Sequence, residues 1–147
     1  MTENNMRFAI YIAIITVVLL EAPSFLPAAY AADPRTILAR FETEAAAADP
    51  GFKADVVRGE DFFRRERTNS KGKIVSCTGC HTRNPKAVGE TRAHKKIKPL
   101  APVANPERFT DPKKVAKWFR RNCDDVLERE CTAAEKADFI AFLLSVQ

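Results

Sequence analysis

The sequence predicts an all-α fold with long loops, and three observations carry that expectation. Two Asp-Pro pairs, Asp33-Pro34 and Asp111-Pro112, each set an N-cap ahead of a proline at the first helical position. Thr132-Ala133-Ala134-Glu135 is a capping box, in which the two outer residues satisfy each other's orphan backbone donors. No stretch alternates as a half-buried strand does, and no internal repeat is present.

The first helix opens at Asp33, carries Ile37, Phe41, Ala45 and Ala48 on one face, and stops at Asp49-Pro50-Gly51. A second starts at Asp55 and places Val56, Gly59 and Phe63 at helical spacing before a polar loop over residues 68–73. Glycine weakens a helix by about 1 kcal/mol relative to alanine, so Gly59 predicts close contact with another backbone. Residues 82–109 hold Pro85, Pro99, Pro102 and Pro106 and read as a wrapped loop whose apolar Ile97, Leu100 and Val103 pack on something. After Asp111, Val115, Trp118, Phe119 and Asn122 recur at i, i+3, i+4 and i+7, which puts Asn122 on the buried face. The last helix has Ala137, Ile140, Ala141 and Leu144 on its inner face. Phe139, Phe142 and Leu143 widen that surface, so contact on more than one side is expected.

With 147 residues, 46% apolar and ten Phe, the chain fits one small domain rather than a disordered segment. A net charge of +5 does not mark a nucleic-acid binder. Residues 8–20 form an apolar run after Arg7, and Ala29-Tyr30-Ala31 closes the segment. This is the pattern of a secretory signal peptide over residues 1–31, cleaved near Ala31, and the run is shorter than the roughly 20 residues of a membrane span. The alternative is an uncleaved anchor, which would be the chain's one attachment to a membrane. Residues 32–147 keep 23 basic and 17 acidic residues, net +6, and contain neither Met nor Tyr. The expected location is an oxidising compartment, a bacterial periplasm. Residues 32–54 read as an N-terminal helical extension and residues 55–147 as the domain that carries chemistry.

Cys77-Thr78-Gly79-Cys80-His81 is C-x-x-C-H, the pattern of covalent attachment of one haem c. Two thiols three residues apart on a helical turn reach the two vinyl groups of a porphyrin, and the next His is held under the iron. Chance supplies the motif in about one of a thousand chains of this composition. A thioredoxin-like C-x-x-C calls for a βαβ context that is missing here. A four-cysteine zinc site would need Cys123 and Cys131, which are eight apart and unlike a paired knuckle. A disulfide between Cys77 and Cys80 leaves His81 unexplained.

Without Met in residues 32–147, the His/Met ligation of many small cytochromes is ruled out. The distal candidates are His94, Asn122, a lysine or an empty position. His94 lies in the basic run Ala93-His94-Lys95-Lys96 and reads as a solvated side chain. Asn122, placed among apolar residues, needs a partner, since an unpaired buried amide costs about 1 to 3 kcal/mol. In an oxidising compartment Cys123 and Cys131 are expected to form a disulfide worth about 2.5 kcal/mol by chain entropy, which would also fix the helix end that carries Asn122.

Several longer segments are more specific than C-x-x-C-H: Gly59-Glu60-Asp61-Phe62-Phe63, Ile97-Lys98-Pro99-Leu100-Ala101-Pro102, Asn105-Pro106-Glu107-Arg108-Phe109-Thr110-Asp111, Lys117-Trp118-Phe119, Arg121-Asn122-Cys123 and Glu130-Cys131-Thr132. Over residues 56–144 the chain thereby resembles the sphaeroides haem protein and cytochrome c″ family, small periplasmic monohaem cytochromes. The resemblance implies a class I-like cytochrome c fold of about four to five helices with long loops wrapped around one covalent haem. It implies thioethers at Cys77 and Cys80, His81 as proximal ligand and a disulfide between Cys123 and Cys131. It also implies a distal ligand at the residue before the first disulfide cysteine, here Asn122 as in the sphaeroides haem proteins; the cytochromes c″ have His. Trp118 and Phe119 are expected beside the cofactor. The run Phe139 to Leu144 looks more like the second subgroup, and His94 departs from the Gly usual in relatives.

Members of this family release the distal ligand on reduction. The resemblance therefore implies electron transfer with a dihaem cytochrome c or a membrane cytochrome b, together with binding of O2, NO or CO to the reduced protein. Two alternatives are a gas-binding or sensing module and a small reductase of oxygen or nitrogen oxides. No acid–base constellation marks an enzyme, so an electron carrier is the primary reading. The basic residues of the loops and the third helix, among them Lys95, Lys96, Lys113, Lys117 and Arg120, form a solvated face of which a subset is suited to an acidic redox partner.

Overall fold

A computed structural model describes residues 32–147, and the export segment expected over residues 1–31 lies outside the described residues. Helix α1 (Pro34–Ala46) begins where Asp33 accepts a hydrogen bond from the Arg35 amide at 2.8 Å. Helix α2 (Val56–Arg64) is capped by Asp55, whose carboxylate accepts from the Arg58 amide at 2.7 Å. A one-turn helix, α3 (Thr78–His81), precedes the proline-rich loop, and α4 (Pro112–Leu127) starts with Asp111 accepting from Lys114. Helix α5 (Ala133–Ser145) opens with the predicted capping box: Thr132 Oγ1 accepts from the Glu135 amide and Glu135 Oε2 accepts from the Thr132 amide. Each side-chain cap stabilises its helix by about 1 kcal/mol.

Two antiparallel ladders of two residues each interrupt the helices: β1 (Arg67–Thr68) with β2 (Ile74–Val75), and β3 (Gly89–Glu90) with β4 (Lys96–Ile97). Ladders this short show no period in a sequence; turn chemistry closes them. Asn69 Oδ1 accepts from the amides of Lys71 and Lys73, and Gly72 adopts φ 71°. Ser70 then donates from its amide and hydroxyl to the Glu128 carboxylate at 2.8 and 2.5 Å, which fastens the first hairpin to the end of α4.

Helix α5 is the element on which both α1 and α2 pack, as its wide apolar surface predicts. Phe63 is fully buried, its ring 5.7 Å from Phe142 and 6.1 Å from Phe139. Phe119 of α4 meets Phe41 and Phe139 edge-on, each at 5.7 Å. Residues 32–54 thus contribute Ile37 and Phe41 to the same core as the rest of the chain.

The inner faces differ from expectation in several places. The buried face of α5 comprises Ala137, Asp138, Ile140, Phe142 and Leu143, while Ala141 and Leu144 are half-buried. Ala48 lies past the end of α1 and is exposed, as are Val56 and Val103. On α4 the buried residues are Val115, Phe119 and Cys123. Asn122 is exposed, and Trp118 retains 44% of its surface. Helical steps of about 100° set Asn122 about 60° from Phe119, on the flank of α4 that it shares with Trp118. The wrapped loop does fold on itself: the amides of Leu100 and Ala101 donate to the Pro85 carbonyl, burying both residues.

Asp138 is the buried carboxylate of the core. It accepts from the Asp55 amide at 2.7 Å and from Arg58 Nε and Nη2 at 2.8 Å, pinning the start of α2 to α5. At Gly59 a Cβ would collide with the Asp138 carbonyl and lie 2.9 Å from Phe142 Cβ, so the backbone contact expected of this glycine is present. Gly59→Ala is expected to lower stability by about 1 to 3 kcal/mol in denaturant unfolding. Gly51→Ala, whose nearest neighbour is Asp49 Oδ1 at 3.6 Å, should stay within about 0.5 kcal/mol of the parent.

Candidate haem attachment site

The five residues of C-x-x-C-H fold as one tight turn. The His81 amide donates to the Cys77 carbonyl at 3.0 Å and the Cys80 amide to the same oxygen at 3.3 Å. Ser76 Oγ and Thr78 Oγ1 meet at 2.8 Å on its entry side. The turn ends at Thr82, with φ 59°, whose hydroxyl donates to the Asn84 carbonyl at 2.9 Å. Cys77 and Cys80 carry free thiols, and both face partly away from solvent. The predicted set Cys77, Cys80 and His81 is therefore brought together by backbone hydrogen bonding alone.

Strand β3 lies directly on this turn. A Cβ at Gly89 would collide with the Cys80 carbonyl and sit 3.1 Å from His81 Cα, so only glycine permits the approach. Neither Gly89 nor Arg108 is singled out by sequence reasoning. For Gly89 a signal exists: a lone glycine after Ala87-Val88 is the kind that marks close backbone contact. Arg108 donates from Nε to the Pro99 carbonyl at 2.7 Å and from Nη2 to the Lys98 carbonyl at 2.6 Å. Asn105 Nδ2 adds a third bond, to Pro99, at 3.1 Å.

Burial sets the protonation states. It pushes the Cys77 thiol up to about 11, with the Arg67 charge opposing. His81 is lowered to about 4, first by burial and then by the Arg108 guanidinium. At neutral pH the turn thus presents a protonated Cys77 thiol and a neutral imidazole whose nitrogen lone pair is free to bind a metal.

The sulfurs of Cys123 and Cys131 are within bonding contact and their Cα atoms are 5.6 Å apart, inside the range of disulfides. Four cysteines are consequently not gathered in one place, and among the described residues no three His, Cys, Asp or Glu side chains form a metal-binding group. What fits the turn is a cofactor that joins two thiols, takes one imidazole and covers apolar surface. Exposed apolar surface is present among the described residues: Ile74 before the turn is 71% exposed, Val88 after it 57%, Val103 59% and Trp118 44%. Haem c meets each of these requirements.

Trp118 and Asn122 stand one turn apart on the exposed flank of α4, whereas Phe119 lies in the core against Phe41 and Phe139. His94 is at the tip of the β3–β4 hairpin with φ 57°, exposed, its Nδ1 2.9 Å from Glu90 Oε1.

A family model described as a domain of unknown function, DUF1924, matches residues 50–143. Cytochrome c-type protein SHP of Cereibacter sphaeroides is 46% identical over 110 residues, which are 75% of this chain and 81% of that protein. Cytochrome c″ of Methylophilus methylotrophus is 41% identical over 108 residues, 72% of this chain and 75% of that one. The crystal structure of oxidised cytochrome c″ superimposes with a TM-score of 0.72 at 38% identity, covering 78% of this chain and 94% of that one. The structure of oxidised SHP, described as an oxygen-binding cytochrome c, gives 0.69 at 42% identity and covers 77% and 96%. The all-α architecture is thus that of these cytochromes, and the chain belongs to the family of SHP and cytochrome c″.

Proposed function

We propose that the chain is a periplasmic monohaem c-type cytochrome that carries electrons and opens a coordination position when reduced. The observation that carries this reading is the Cys77–His81 turn, with two free thiols and a neutral imidazole, in a chain that has no Met after residue 31. Cys77 and Cys80 form the thioethers and His81 is the proximal ligand. Haem supplies a one-electron couple and a sixth coordination position. Trp118 contributes ring surface to cover the cofactor.

Asn122 supplies the distal oxygen in the oxidised protein. Its side chain makes no hydrogen bond among the described residues, so it is free to turn toward a ligand. A neutral amide is a weak donor that favours the ferric state, and reduction lets it go. Asn122 then faces an incoming O2, NO or CO as a hydrogen-bond donor. The disulfide between Cys123 and Cys131 limits how far the Asn122 backbone travels in that exchange. Redox partners of this reading are a dihaem cytochrome c or a membrane cytochrome b, met through the basic face. A gas-binding or sensing module is the second reading, and the description of SHP as an oxygen-binding cytochrome favours it. Reversible gas binding without electron exchange would select it.

Visible spectra of the purified protein are expected to show a Soret band that stays with the polypeptide after denaturation and shifts when CO is added to the reduced form. Loss of covalent retention is expected in the Cys77→Ser/Cys80→Ser protein, and a parent without a Soret band would sink the reading. Asn122→Ala should alter the oxidised spectrum while leaving the reduced one nearly unchanged. It should also speed O2 release about fivefold, as removal of a hydrogen bond worth about 1 kcal/mol implies. An oxidised spectrum identical to the parent's would take Asn122 off the iron.

A further inference from the structure

Away from the cysteine turn, α1, α4 and α5 with Glu130 and Cys131 line an open cleft of about 480 Å³. Five cations line it, Arg40 from α1, Lys113, Lys117 and Arg120 from α4, and Lys136 from α5. Two carboxylates share the wall, Glu44 and Glu130, and Glu44 is held by Arg40 at 2.8 Å. Elsewhere many of the chain's cations are neutralised in pairs: Lys96 with Glu90, Lys98 with Glu107, Arg129 with Glu135 and Arg58 with Asp138. Lys113, Lys117, Arg120 and Lys136 have no salt-bridge partner among the described residues.

That arrangement works against the empty protein. Lys113, Lys117 and Arg120 follow one another at i+4 and i+3 along α4, so like charges repel along one helix face. Lys113 also stands in the first turn, where the helix dipole disfavours a cation. On the facing helices the charges are held in place: Arg40 and Lys136 both lie over the Phe41 ring, at 5.4 and 5.5 Å. A concave site of this size with converging, partly preorganised cations suits a small, dense anion rather than a flat macromolecular surface.

We infer that this cleft binds a soluble multivalent phosphate, with cations from three helices closing on one ligand. The ligand offsets the repulsion along α4 and links α1, α4 and α5. The site depends on neither haem attachment nor the distal ligand.

Calorimetric titration of the purified protein with inorganic pyrophosphate tests it, against sodium chloride at matched ionic strength. Saturable one-to-one binding is expected, weakened about tenfold or more in Lys113→Gln/Arg120→Gln and about threefold in Lys136→Gln. The control Arg92→Gln/Lys95→Gln, with the same loss of charge in the β3–β4 turn, should stay within about twofold. Lys136→Gln gives up the contact of Lys136 with the buried Phe41 ring, and a circular dichroism melt checks that each variant is folded. Equal weakening in the control, or no heat beyond that of chloride, overturns the site in favour of diffuse attraction. Vesicles of phosphatidylglycerol are expected not to compete with pyrophosphate; competition would reassign the site to lipid headgroups and overturn the soluble ligand.

Discussion

Helix α5 meets α2 backbone to backbone, with Gly59 seated over the Asp138 carbonyl, and the rest of the described chain is arranged around that contact. So close an approach draws Phe63 between Phe139 and Phe142. It also leaves the Asp138 carboxylate facing inward, where Arg58 and the Asp55 amide must answer it. A charge this shielded is tolerated because three donors converge on it; truncation of the carboxylate would leave the Asp55 N–H at the α2 start without its partner. Helices α1 and α4 then complete the core through Phe41 and Phe119, which touch each other at right angles.

Features written in a few consecutive residues were legible in the sequence. The caps at Asp33, Asp55, Asp111 and Thr132 depend on partners within two or three residues, and all four are present. C-x-x-C-H is equally local, since one helical turn suffices to bring its side chains together. What the pattern did not carry is long-range. The partners of Asp138 lie 80 and 83 residues away, so an aspartate inside an apolar helix reads as a break in the stripe instead of its anchor. Asn122 shares with Trp118 a flank of α4 that the helical core leaves open, because a period fixes which residues share a face, not whether that face meets another helix. Gly89 and Arg108 act on the turn from loops, where no period exists to point to them.

The cysteine turn and the cleft use charge in opposite ways. Around His81 the protein excludes water and sets Arg108 within electrostatic reach, so that the imidazole stays neutral. Arg108 itself is satisfied by backbone carbonyls and not by a carboxylate, which keeps its positive field undiminished at the turn. In the cleft between α1, α4 and α5 the cations of α4 go without a carboxylate partner among the described residues, and their cost is mutual repulsion.

The bond between Ser70 and Glu128 gives the attachment segment a second anchor. Ser70 precedes Cys77 by seven residues, and Glu128 sits inside the short loop that Cys123 and Cys131 close. The stretch from Ser70 to Cys77 is consequently tethered at its entrance as well as its exit, and a chain held at both ends has little entropy left to lose. Were the two thiols to take up the proposed haem, the turn would meet it as a preformed clasp rather than as a free strand.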